Sequence, residues 1–294
     1  MTIKHLVLSG GGPNGFTFVG ILEQLHNEGV WNIDNLETIY ATSVGGIIGT
    51  CIALKYDWET LTNYLINRPW KDVFKIKPKH IIDSFSTKGI FNEDPIISGF
   101  KPLLEAKNLT TEITLKDFYE YSKIELHFFS VEINSFQLID VNYKSFPDLK
   151  LTKAILMTCC IPTLVQPIIN DNKCYVDGGI LCNYPVEECI KDQPNIDEIL
   201  GIKLTFNSSD SIGVTEEANM LEFILQIMVN YFYHYTSKYT NSSLLKHEVI
   251  CVSDLLTLDF LKESVKSSEC RKKLVEKGRE IANQYFKEHY SKIV

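Results

Sequence analysis

The amino-acid pattern predicts an α/β fold around a mainly parallel central sheet. Strand, helix, strand and helix alternate from the start of the chain, joined by short connections, and such an alternation implies parallel pairing. Ile3 to Ser9 is short, apolar and ended by glycines, as a buried strand is. From Phe16 to Glu28 the apolar positions 18, 19, 21, 22 and 25 recur at helical spacing, and Gly29 supplies the stop. A second strand, Glu37 to Thr42, leads through Ser43 into a second helix from Val44 to about Lys55.

Further along, the pattern loosens. Pro69 to Pro102 holds four prolines, several glycines and lysines at 71, 75, 77 and 79, and reads as a long surface excursion or cap. Glu125 to Ile133 and Phe136 to Asn142 read as strands joined by a tight turn at Asn134-Ser135. Leu151 to Cys159 reads as a helix, and Lys173 to Val176 as a strand running into Asp177-Gly178-Gly179. Glu198 to Leu204 and Val249 to Val252 are two more strands. Between them Met220 to Tyr235 forms an aromatic helix with Glu222, Gln226, Asn230 and His234 along one side. Lys262 to Val294 is helical and basic, with nine Lys/Arg against five Asp/Glu, and Leu274, Val275, Ile281, Tyr285 and Phe286 form its docking stripe. No repeat or linker divides the chain, so 1–294 is expected to be one domain, with about 255–294 packing on it.

Composition narrows the class. The chain has 294 residues, 45% hydrophobic and 22% charged, as befits a globular protein with a sizeable core. A net charge of −8 argues against a nucleic-acid partner and disfavours purely electrostatic docking on anionic membranes. Eight cysteines show no C-x-x-C pair and no zinc spacing, so reduced, mostly buried thiols are expected. The N-terminus lacks a signal-peptide core, and no window is apolar for long enough to span a membrane. The expected setting is intracellular, either soluble or peripherally bound to a membrane. Nothing in the sequence speaks to oligomeric state.

Three short motifs carry chemistry. Gly10-Gly11-Gly12-Pro13-Asn14-Gly15 lies between the first strand and the first helix, where a tight turn and a helix N-terminus offer N–H groups to an anion. Pro13 has no N–H, which leaves Gly11, Gly12 and Asn14 as donors. Ala41-Thr42-Ser43-Val44-Gly45-Gly46 places a serine on a strand-to-helix turn, with small residues where the two elements crowd. Asp177-Gly178-Gly179 ends a short strand and is followed by Asn183-Tyr184-Pro185; an aspartate there can accept a serine proton if partly desolvated. Each has a plainer alternative: a packing turn, a helix cap, and an Asp-Gly turn.

In combination and order, these elements resemble the patatin-like phospholipase family over most of residues 3 to 186. The segment Ala154 to Pro167, with Ile161-Pro162 and Gln166-Pro167, also looks like the family's helix and proline turn before its catalytic aspartate. Two positions depart from the family pattern: Asn14 stands where Arg or Lys is usual, and Ala41 where glycine is usual. The resemblance implies a three-layer α/β/α sandwich and a lipid acyl hydrolase of phospholipase A or lysophospholipase type. It implies Ser43 as nucleophile, Asp177 as base, and an oxyanion hole in the Gly10 to Gly15 loop, through an acyl-serine intermediate. Gly10, Gly15, Ala41, Gly45, Gly178 and Gly179 support the motifs. The implied chemistry needs no metal or other cofactor, and its partner is a phospholipid or other lipid ester, with transient membrane-surface contact.

Three other readings compete. A dinucleotide-binding domain would need an acidic residue where Ser43 ends the second strand. An α/β-hydrolase triad would recruit His234, His247 or His289. A catalytically weak lipid-binding or scaffold protein would keep the fold and fail serine-directed labelling.

Overall fold

The computed structural model describes residues 2–206, 214, 216–218, 220–239, 244–253 and 257–290, with the side chains of 221 and 232–239 left aside. Ten strands follow one another among the described residues. They are β1 (His5–Leu8), β2 (Thr38–Thr42), β3 (Gly89–Phe91), β4 (Glu125–Glu132), β5 (Gln137–Val141), β6 (Thr163–Val165), β7 (Ile168–Asn170), β8 (Lys173–Asp177), β9 (Ile199–Phe206) and β10 (His247–Ser253). The main sheet runs β10-β9-β1-β2-β4-β8-β7, with β5 also paired to β4; β3 and β6 form a small sheet apart. Pairings from β10 through β4 are parallel, and those of β5, β8 and β7 are antiparallel. The sheet is therefore mixed, with its parallel half as expected.

β1 and β2 are buried along their whole length, since helices cover both faces. The helices Gly15–Asn27 and Val44–Ala53 stand at the expected places. The larger core packs Phe18, Leu22, Ile39 and Phe128 on one side, and a smaller cluster packs Val7, Tyr40, Phe129 and Ile199 on the other. Within the described residues no helix is long and apolar enough to cross a membrane.

Two segments differ from expectation. The stretch from Pro69 to Pro102 is largely helical: Trp70–Val73, Pro78–Thr87 and Asp94–Glu105 are helices, with β3 between the last two. Pro78 and Pro95 lie in first helical turns, where a missing N–H costs nothing. The C-terminal segment is two helices, Leu258–Lys266 and Ser268–His289, because Ser267 is extended and caps the second through the Cys270 N–H. That second helix lies tightly on Gly15–Asn27. A Cβ on Gly20 would overlap the Val275 carbonyl, and one on Gly278 would overlap that of Thr17, so glycine sets the helix separation. Val275 and Tyr285 of the expected stripe are buried, and Leu274, Ile281 and Phe286 are half-buried. Residues 291–294 lie outside the described part of that segment.

Candidate active site

The sheet register brings the two candidate catalytic residues together. Phe128 and Phe129 of β4 pair with both β2 and β5, while Ser130 to Glu132 pair with both β5 and β8. A strand has only two edges, so β5 takes one and β2 and β8 share the other. β2 ends where Thr42 faces Phe129, and β8 arrives from the opposite direction with Asp177 facing Ser130. The C-terminal ends of β2 and β8 thus meet head-on, and Ser43 leaves its strand where Asp177 ends its own.

Ser43 sits on the turn into the helix Val44–Ala53 with φ 54 and ψ −127, outside the regions a non-glycine residue favours. Close packing holds it there. A Cβ on Gly45 would stand 2.6 Å from the Leu8 carbonyl oxygen and 2.8 Å from that of Ser9, so the first helical turn rests directly on backbone. Gly46 meets Phe128 and Thr158 in the same way, each 2.9 Å from where a Cβ would be. Ala41 is accommodated inside β2, buried between Leu8 and Phe128 in register, so the extra methyl is absorbed by the strand.

A residue that no motif announced completes the turn. The Ser43 N–H donates to Thr158 Oγ1 at 2.8 Å, and the Thr158 hydroxyl donates to the Phe129 carbonyl at 2.5 Å. Phe129 lies at the gap between β2 and β8, and Thr158 bridges that gap. Its one sequence signal is its place at the end of the expected helix Leu151–Cys159, which the structure reproduces with those bounds.

Asp177 is buried, and its Oδ1 accepts the Gly179 N–H at 2.8 Å. Its Oδ2 is also buried and lacks a partner in good hydrogen-bond geometry; the Ser43 hydroxyl interacts with the same carboxylate and favours its charge. Nucleophile–base bonds are commonly loose before substrate arrives. Burial pushes the Asp177 pKa up to about 6, against the smaller opposing pull of the Ser43 hydroxyl and the Gly179 N–H. A Cβ on Gly178 would overlap the Phe129 carbonyl, so glycine lets this turn close on β4. The Cys159 thiol also touches Ser43, but burial holds it well above its usual pKa, so it stays protonated and is a poor nucleophile.

The glycine loop borders the same point. A Cβ on Gly10 would overlap Asn183 Oδ1 and stand 3.2 Å from Ser43 Cβ, so the loop reaches the serine only as glycine. The Gly10 N–H donates to the Asn183 carbonyl at 2.9 Å, which ties the loop to the turn after Asp177. Gly15 packs on Val44. The N–H groups of Gly11 and Gly12 meet no acceptor among the described residues. Asn14 differs from the expectation of a third donor. Its N–H is engaged by the Gly11 carbonyl at 3.1 Å, because the loop closes a 3-10 turn there. Its side chain is buried, donating from Nδ2 to the same carbonyl at 3.1 Å and accepting at Oδ1 from the Ser253 hydroxyl at 2.7 Å.

Two of the three histidines a triad could recruit lie elsewhere. His247 pairs with Leu200 at the start of β10, the opposite end of the parallel strands from Ser43, and its Nδ1 bonds the Tyr290 hydroxyl at 2.8 Å. His289 Nδ1 bonds the Tyr285 carbonyl at 2.9 Å in the C-terminal helix. The side chains of Phe232, Tyr233 and His234 lie outside the described residues.

Comparison with known proteins agrees with this architecture. Residues 6–190 match the patatin-like phospholipase family. An uncharacterised protein of Acanthamoeba polyphaga mimivirus is 26% identical over 79% of this chain and 73% of its own length. A probable lipid hydrolase of Invertebrate iridescent virus 6 is 25% identical over 64% of this chain and 63% of its own length. Among solved structures, VipD from Legionella pneumophila superposes with a TM-score of 0.58 at 16% identity, covering 98% of this chain and 67% of that one. That likeness is one of fold. With the family match spanning well over half its length, the chain belongs to the patatin-like phospholipase family.

Proposed function

We propose that the protein is a lipid acyl hydrolase that cleaves carboxylic esters with a Ser43–Asp177 dyad. The observation that carries the reading is the head-on meeting of β2 and β8, which brings a serine on a strained turn against a buried carboxylate. Family membership and the lipid hydrolase among its relatives support a lipid ester as substrate. A lipid-membrane surface is the source from which such a substrate would be drawn.

In the proposed cycle Asp177 takes the hydroxyl proton as Ser43 Oγ attacks the ester carbonyl, and the tetrahedral oxyanion is held by the Gly11 and Gly12 N–H groups. The carbonyl re-forms as the ester C–O bond breaks, and the proton passes from Asp177 to the departing alcohol. Water then attacks the acyl-serine, giving its proton to Asp177 and releasing the fatty acid, while Ser43 recovers its hydrogen. A carboxylate poised near 6 suits this exchange better than one near its ordinary value. Thr158 acts indirectly, as a positioning residue behind the Ser43 backbone.

Fluorophosphonate labelling with peptide mass spectrometry tests the reading. The adduct is expected on Ser43, absent from Ser43→Ala and slowed in Asp177→Asn, each variant being checked for folding by circular dichroism. A folded, unlabelled wild type would move the assignment to a lipid-binding relative without catalysis; an adduct on another serine would displace the site.

A further inference from the structure

The helix Pro78–Thr87 is amphipathic in the wrong sense for a helix in water. None of its residues is fully buried, and its apolar side chains point outward: Phe85 is 89% exposed, Ile82 73% and Ile81 53%. Positions 81, 82 and 85 fall on one helical face, and Ile76, 49% exposed, precedes them. Part of its polar side is turned inward, while Lys79 and Ser86 are exposed. Asp83, Ser84 and Thr87 are half-buried, and the Ser84 and Thr87 hydroxyls donate to carbonyls of their own segment.

Positive charge is dense along the same segment. Between residues 71 and 88 stand five lysines, Lys71, Lys75, Lys77, Lys79 and Lys88, against two acids, Asp72 and Asp83. All five lysines are exposed, and none has a carboxylate within ion-pair distance among the described residues. The whole chain carries −8, so this cationic segment is a local reversal, with the negative charge distributed elsewhere. An exposed apolar face rimmed with lysine is the signature of a helix lying in a membrane interface, and anionic lipid is its electrostatic complement.

The patch adjoins the candidate site. The helix runs directly into β3, which pairs with β6, and β6 lies in the segment between Thr158 and Asp177. The helix Met220–Tyr239 packs against both β6 and the turn 178–180. It presents a second apolar stripe, with Met220 71%, Ile227 52% and Phe223 44% exposed.

The geometry points to the helix Pro78–Thr87 and its lysine rim as the docking surface by which the protein settles on an anionic lipid interface, with the Met220–Ile227 stripe as its second contact. The lipid-hydrolase reading enters only in the choice of a lipid surface over a protein one. The local charge also amends the expectation drawn from net charge: the acidic remainder of the molecule is repelled by the surface, which orients the basic patch toward it.

Vesicle co-sedimentation of the full-length Ser43→Ala protein tests docking without turnover, using phosphatidylcholine vesicles with and without phosphatidylserine. Binding is expected on the anionic vesicles and weakened by salt. The variant Ile82→Ser/Phe85→Ser should lose it at least tenfold, and Lys75→Gln/Lys77→Gln/Lys79→Gln should lose on the order of 100-fold, at about fivefold per lysine. The same substitutions, placed in protein with Ser43 intact, should leave hydrolysis of a water-soluble short-chain ester unchanged, which shows them folded. Lost docking with no esterase activity in any form would leave this surface standing and sink the hydrolase. Patch variants that bind like their parent, or no binding to either vesicle, would overturn the proposal. So would concentration-dependent self-association abolished by Ile82→Ser/Phe85→Ser, which would give the face to a second copy of the chain.

Discussion

Replacing Asp177 by asparagine should cut activity sharply and stabilise the protein, because the charge that would make the carboxylate a base is the one the fold disfavours. A pKa raised from 3.8 to about 6 corresponds to about 3 kcal/mol of differential stability between the ionised and neutral forms. Asp177 is only 3% exposed, so solvent screening takes little from that figure. Asparagine keeps an acceptor for the Gly179 N–H and removes the charge, while its new N–H pair must find an acceptor, Ser43 Oγ being the nearest candidate. The expected net gain is about 1–3 kcal/mol, read as a rise of roughly 2–5 °C in melting temperature. The sign can be followed in pH. The folded pKa lies above the unfolded one, so the protonated acid favours folding, and that contribution fades as pH rises through about 6. Asparagine has no such dependence, so the gap between variant and wild type should be full above about pH 6 and close toward pH 3.8. Chemical denaturation of both proteins between about pH 8 and pH 4.5 measures it. Over the same comparison, loss of the base should cost about 10²–10⁴ in rate. A variant less stable than wild type at the alkaline end, or a gap flat in pH, would show that Asp177 is a well-solvated carboxylate and refute the argument.

Wild-type kcat/KM on a soluble ester should fall as pH drops through about 6, since the proposed base, Asp177, would act as a carboxylate; an acid limb near the ordinary aspartate value would contradict the burial argument. Thr158→Val strips the Ser43 N–H of its acceptor and the Phe129 carbonyl of its donor, at about 1–3 kcal/mol for each buried group left unpaired. It should lower kcat far more than it raises KM, and Thr158→Ser should restore both; an equal effect on the two parameters would make Thr158 merely structural. Gly278→Ala forces a methyl onto the Thr17 carbonyl and should destabilise by about 1–3 kcal/mol in urea unfolding. Neutrality there would mean the two helices slide apart freely.

The sequence was most legible where local signals were long or unambiguous. The helix Leu151–Cys159 and the hairpin of β4 and β5 stand where their patterns put them, the latter because the Glu132 carboxylate accepts from the Asn134 and Ser135 N–H groups and closes the turn. β6 and β7, three residues each, are too short to show a period, and the helix Pro78–Thr87 was hidden by proline and lysine, although Pro78 is acceptable in a first turn. Its outward-facing apolar side also gives a helix-like period with the wrong face, which no periodicity argument distinguishes from a buried one. At the site, Ser43 and Asp177 were legible as motifs. Their adjacency was not, because it depends on two strands sharing one edge of β4, and nothing local in β4 names its partners. Thr158 was invisible for a related reason: a helical threonine acquires its role only from the carbonyl and the N–H that converge on it. Asn14 illustrates the reverse, a residue placed correctly in its loop whose N–H the loop itself consumes.

Burial and docking bear on each other, and their connection is measurable. Ser43 is 7% exposed and Asp177 is 3% exposed, so a site dry enough to raise the base is also one that bulk solvent scarcely supplies with substrate. A surface that places the apolar faces around β6 in lipid would deliver an acyl ester from a phase without water. It would also place the dyad in the lipid's own electrostatic field. An anionic surface at about −30 mV concentrates protons, so local pH lies about half a unit below bulk. The acid limb for substrate in anionic vesicles should therefore appear about half a unit higher than for a soluble ester, with no displacement in zwitterionic vesicles. The direction follows from sign alone: more alkaline bulk is needed to ionise Asp177 beside negative charge. Equal limbs on all substrates would hold the dyad more than about 8 Å, a Debye length, from the surface. In that case the lysine-rimmed helix would anchor the protein without presenting its active site to the lipid.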